Sequence, residues 1–171
     1  MKAIFQVPLK YGSIAGALGA IIAISLYYMG WHPFLIPPFF DFRIVLFGVF
    51  FFFTLREYRE VYRGGNMMFG EGLLCSFIFV TIFGLIASGI IALFGYWNEE
   101  FIPSFVTTLK EQLSQLSEEE VKQIGKENLD RNLEILSTTN PIQLAGKYFV
   151  QSYLIGFLIS IVLSVILRRQ T

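Results

Sequence analysis

Residues 72–97 form a run of 26 consecutive side chains without formal charge, and shorter runs of the same kind cover residues 11–29 and 148–167. A helix rises about 1.5 Å per residue, so roughly 20 apolar residues cross the hydrocarbon of a bilayer. Three such runs in 171 residues leave little chain for a water-soluble core. Composition agrees, with 54% apolar residues, 19 Phe and only 15% charged, where soluble domains carry roughly 25% charged. Residues 39–55 give a fourth, weaker span. Asp41 and Arg43 stand near its start, and only Ile44 to Leu55 is uncharged. The cost of a charge is greatest at the bilayer centre, so Arg43 is expected to snorkel to the interface.

The chain therefore reads as an all-α integral membrane protein, one domain over residues 1–171. Four transmembrane helices are expected at residues 11–29, 39–55, 72–97 and 148–167, with an extracytoplasmic helical insertion at 98–147. The first run is too long for a signal-peptide core and is read as a retained helix, with residues 1–10 at the interface. Four spans put both termini on one side. That side carries Lys2, Lys10, Arg56, Arg59, Arg63, Arg168 and Arg169 against Glu57, Glu60 and Glu71, whereas the opposite side has six cations and ten acids. The positive-inside rule makes the termini cytoplasmic.

The connections differ in kind. Residues 30–38, Gly-Trp-His-Pro-Phe-Leu-Ile-Pro-Pro, read as a short outer turn with Trp31 at the interface. The cytoplasmic connection continues the second helix through Arg56, Arg59 and Arg63 and stops at Gly64-Gly65, where glycine can take a left-handed conformation. Glu71 falls in the first turn of the third helix, with the favourable sign for its dipole. In the outer insertion Ile102, Phe105, Val106, Leu109, Leu113 and Leu116 recur at helical spacing, with Pro103 in the first turn. Ser117-Glu-Glu-Glu120 matches a capping box ahead of Val121, Ile124, Leu129, Leu133 and Leu136, interrupted by Gly125. An amphipathic helical hairpin is expected, ended by Thr138 to Pro141. It packs on the spans and headgroups or meets another protein.

Chemistry is sparse. One cysteine, Cys75, and one histidine, His32, leave no metal set, and the zero net charge gives no field for nucleic acid. No cofactor is implied. The uncharged runs hold no ionisable group, so neither an enzyme nor a transport path is legible within them. Cys75 reads as a packed thiol, and His32, Asp41 and Arg43 read as interfacial anchors, Asp41 and Arg43 being two apart and so not facing on a helix. Arg56, Arg59 and Arg63 share one helical face, where Glu60 could pair Arg56 or Arg63. They serve topology or contact a lipid headgroup or cytoplasmic partner. Small residues repeat every fourth position: Gly12 and Gly16 in the first span, Gly84 and Ser88 in the third, and Ser152, Gly156, Ser160 and Ser164 in the fourth. Such stripes admit close helix packing, within the bundle, in a homo-oligomer or against a protein partner.

Tyr11-Gly12, the segment Arg56-x-Tyr58-Arg59 to Gly64-Gly65, Phe69-Gly70, Phe101-Ile102-Pro103, Asn140-Pro141 and Arg168-Arg169 together resemble a bacterial membrane-protein family of unknown function, DUF4199. Met68 stands where that family carries Ser or Thr. The resemblance implies a four-span inner-membrane protein and supplies no activity, cofactor or catalytic residue. The residues themselves favour a non-enzymatic accessory or interaction subunit in the lipid bilayer, over a small oligomeric transporter or channel and over a headgroup-binding protein.

Overall fold

The computed structural model describes residues 2–37, 40–115, 117, 125, 131, 136 and 138–168. Five α-helices occur among them, with no strand: α1 (Lys2–Tyr28), α2 (Phe42–Glu57), α3 (Phe69–Trp97), α4 (Phe101–Ser114) and α5 (Pro141–Leu167). Helices α1, α3 and α5 are long and apolar enough to cross a membrane. The second amphipathic segment expected after residue 117 lies outside the described residues, apart from isolated positions such as buried Leu136.

Local chemistry sets the helix ends. α1 begins at Lys2, earlier than residue 11, because Pro8 removes only one backbone donor near its start. Asp41 caps α2, which therefore starts at Phe42 rather than 39. Past Glu57 the chain makes a π-turn, Tyr58–Tyr62, and stops at Gly64 and Gly65, both with positive φ (59° and 91°). The Glu71 carboxylate accepts the Met68 N–H at 3.0 Å and so caps α3. Asn140 and Gln143 cap α5 reciprocally, at 2.9 and 3.1 Å, with Pro141 in the first turn. α5 thus begins seven residues before the uncharged run that announces it.

Helix α3 is the spine, flanked by α1 and α5, while α2 leans on α1 and α5 and closes the group. Side-chain-free positions fix the register. A Cβ on Gly12 would meet the Phe79 carbonyl and Ile82, and one on Gly16 the Phe83 carbonyl and Ile86, so α1 and α3 run parallel in near backbone contact. Against α5 the order reverses: Gly95 meets Pro141, Gly84 meets Phe149, Val80 meets Gly156 and Gly72 meets Ser164. Phe47, Phe51, Phe79 and Phe83 fill the centre, ring against ring. The outer face of α4 is polar, while Phe101 and Phe105 are buried and Ile102, Val106, Leu109 and Leu113 pack on the same core.

Residues 30–37 correct the expectation of a short outer turn. α1 ends level with the end of α3, where Tyr27 meets Phe94. From there the chain turns back into the bundle, carrying Phe34 onto Tyr148, Phe101 and Phe105. The return covers about ten residues of helical rise, roughly 15 Å. Pro33 and Pro37 have no N–H to satisfy, and α4 roofs the segment, so irregular backbone is tolerated inside the bundle.

Candidate functional site

The returning segment delivers Asp41 and Arg43 between α2 and α5, where they are 7% and 3% exposed. This corrects the expectation of interfacial anchors. Arg43 lies against Tyr148 and Ser152 of α5, and the α3–α5 register sets that level near the middle of α3. An ionisable pair does lie deep in the bundle. It also corrects the view that residues two apart cannot face each other. Asp41 precedes the helix in an extended conformation (φ −69°, ψ 120°), so its carboxylate folds back over the first turn. Oδ1 accepts from the Arg43 backbone N–H at 2.9 Å and from Nε at 2.8 Å, and Oδ2 accepts from Nε at 2.9 Å and closely from Nη2.

The remaining guanidinium donors reach α5. Nη1 donates to the Tyr148 carbonyl (3.2 Å) and Ser152 Oγ (3.1 Å), and Nη2 to Gln151 Oε1 (3.2 Å). The guanidinium also lies 4.4 Å from the Tyr148 ring centroid, a cation–π contact. A cavity of about 230 Å³ adjoins the pair, walled by Pro33, Phe34, Ile36, Leu154 and Ile155 with Asp41, Arg43 and Gln151. A buried pair with every donor matched can hold two helices in one register; separated, each charge would be stranded in a low-dielectric interior. The missed signal was the Asp that immediately precedes an apolar helix, a capping signature. Nothing in sequence spacing marks Tyr148 and Gln151 as its partners.

His32 is buried beneath α4, stacked on Phe101 at 5.0 Å and close to Phe105 and Phe34. Nε2 lies 3.3 Å from the Phe101 carbonyl and Nδ1 is 3.4 Å from the Phe34 N–H, the pattern of a neutral ring with its proton on Nε2. Burial pushes its pKa down to about 4.

At the opposite end the three arginines part company. Helical spacing places them on one face, but the π-turn changes the angular step after Glu57. Arg59 turns to the end of α5, donating to the Leu167 carbonyl at 3.0 Å, and pairs with Glu60 at 2.6 Å. Glu60 thus serves Arg59 rather than Arg56 or Arg63. Arg63 pairs with Glu71 at 2.7 Å. Arg56 stays exposed, 5.9 Å from the Phe52 ring centroid. Glu57 accepts from Lys10 (2.8 Å) and Tyr11 (2.6 Å).

The small-residue positions lie largely between helices. Ser152, Gly156, Ser160 and Ser164 are buried on α5, Gly156 against Val80 and Ser164 against Gly72 of α3 and Ser152 against Arg43 of α2; Gly12 and Gly16 are closed off by α3, and Gly84 lies under the Phe149 ring. Ser88 is half-buried and bonds only its own helix. Cys75 is fully buried. Among the described residues no cluster of His, Cys, Asp and Glu could hold a metal ion.

Searches of curated proteins and of solved structures find no match. Comparison with protein-family models matches residues 10–169 to the family described as a protein of unknown function, DUF4199. With nearly its whole length covered, the chain belongs to the DUF4199 family.

Proposed function

We propose that the chain is a four-span protein of the bacterial inner membrane, with α2 and its π-turn as the fourth crossing, both termini cytoplasmic and α4 outside. It acts as a non-enzymatic accessory or interaction subunit. One observation carries this reading: the polar groups at both ends of α2 are committed to holding the bundle together. Arg43 and Asp41 tie its outer end to Tyr148 and Ser152, and Glu57 and Arg59 tie its inner end to Lys10, Tyr11 and Leu167. Between these ties α2 runs beside the same length of α5 that begins at Tyr148 and ends at Leu167, which supports a crossing despite its 16 residues. With those groups occupied, the surface left for function is apolar helix face and the α4 side, both suited to lateral association.

The test is the native mass of the gently extracted protein, with co-purifying proteins and lipids identified. A partner at fixed stoichiometry is the expected result. A monomer that retains only lipid would sink the subunit reading. A transporter is the second reading, favoured by the buried Asp41–Arg43 pair beside a cavity where irregular backbone enters the bundle. Ion or solute flux in proteoliposomes that Asp41→Asn abolishes would move the assignment there. A headgroup site at Arg56, Arg59 and Arg63 has less to recommend it, because two of the three are engaged within the chain.

A further inference from the structure

A second, larger cavity of about 530 Å³ opens between α4 and the first turns of α5. Its walls are Phe105, Leu109, Leu113, Leu136 and Leu144, and its polar lining is Thr139, Gln143 and Lys147. The volume and the mostly apolar wall are those of a small-molecule pocket rather than a packing defect, and too apolar to be filled well by water. Lys147 supplies the sole formal charge among the described lining residues. Its ammonium stands 5.4 Å from the Phe105 ring centroid and has no carboxylate partner among the described residues. Arg43 is neutralised by Asp41, whereas the Lys147 ammonium faces the α4–α5 chamber.

Location narrows the ligand further. The chamber lies under α4, which turns across the end of the bundle beyond Trp97, and runs along α5 from Thr139 to Lys147, next to the level of the Asp41–Arg43 pair in the four-span reading. A molecule that reaches it laterally is an amphiphile. We propose that this chamber binds a single acyl chain with an anionic head, the hydrocarbon between α4 and α5 and the head at Lys147. The proposal is independent of whether the protein has a protein partner. A long-chain carboxylate and a lysophospholipid phosphate share this chemistry.

The full-length protein in phosphatidylcholine nanodiscs, exposed to hexadecanoic acid bearing a diazirine and irradiated, provides the test. Mass spectrometry is expected to find the label on peptides containing residues 105–113 and 136–147. Unlabelled hexadecanoate competes, and hexadecanol does not. Lys147→Gln lowers labelling at least about fivefold while Lys147→Arg retains it, as expected for loss of one charge-assisted contact. Leu109→Trp, which fills the chamber and keeps the cation, lowers labelling as well, so the outcome stands even if one variant melts early. Stronger competition by lysophosphatidate than by hexadecanoate, or the reverse, supports the site and names its source. Label confined to the exposed Leu154 and Leu158 face of α5, or equal competition by hexadecanol with no effect of Lys147→Gln, overturns the proposal.

Discussion

Asp41 does two jobs, capping α2 and neutralising Arg43, and the two can be separated by mutation. Asp41→Leu leaves a buried guanidinium without its counter-ion, expected to cost about 3 to 5 kcal/mol of bundle stability. Adding Arg43→Met removes the stranded charge, so the double variant is expected to recover most of that loss and keep only the cap deficit, about 1 kcal/mol. Thermal melts of the two singles and the double form the cycle; additive losses would mean the pair is not coupled. His32 offers a pH handle. Burial lowers its pKa from 6.5 to about 4, so the docked ring stays neutral while an undocked one takes up a proton. The stabilisation is complete above pH 6.5 and is lost as pH falls toward 4. Protection factors of the α4 amides, exchange corrected for its intrinsic pH dependence, are expected to fall between pH 6.5 and 4, and His32→Phe to flatten that dependence. At this scale the sequence was legible only where one residue type implies one role. Cys75 read as a packed thiol because its neighbours are apolar, and it is fully buried. Asp41 and Arg43 were misread because helical spacing rules were applied to a residue that stands just outside the helix.

Helix positions show what spacing can and cannot tell. A small residue every fourth position implies a close backbone approach, and the contacts at Gly12 and Gly16 have that form, while Gly156 receives the Val80 side chain. Gly156→Leu would drive its side chain into Val80 and is expected to destabilise by about 1 to 3 kcal/mol. Gly48→Leu has open space around it and is expected to be near neutral, so equal melting losses for the two variants would refute the packing role. A helix end was legible where its capping residues stand out, as at Gly64-Gly65, whereas Asn140-Pro141 read as a turn and α5 was expected only from residue 148. The π-turn was not, because Tyr58–Tyr62 has the composition of ordinary helix and only its packing selects the wider turn. The arginine face dissolved for the same reason.

For the whole molecule, the parallel run of α1 beside α3 and the reversed run of α5 require α1 and α3 to cross in one direction and α5 in the other. In the proposed orientation, a cysteine introduced at Ser114 is expected to react with an impermeant maleimide added outside, and one at Asn66 only after the membrane is opened. The inverse pattern would overturn the orientation. Uncharged run length made this architecture readable from sequence, since the cost of burying charge in hydrocarbon is large and independent of fold detail. The re-entry of residues 30–37 escaped because its cover, α4, comes from a distant part of the chain.

The brevity of α2 carries a consequence for the membrane itself. Sixteen residues rise about 24 Å, whereas the 29 of α3 rise about 43 Å. In the proposed four-span reading α2 is several ångströms shorter than the lipid tails beside it, and residues 30–37, folded back under α4, complete the outer part of that crossing. On that reading the protein is lopsided to its surrounding lipid, with a continuous helix along α3 and a short helix completed by irregular backbone along α2.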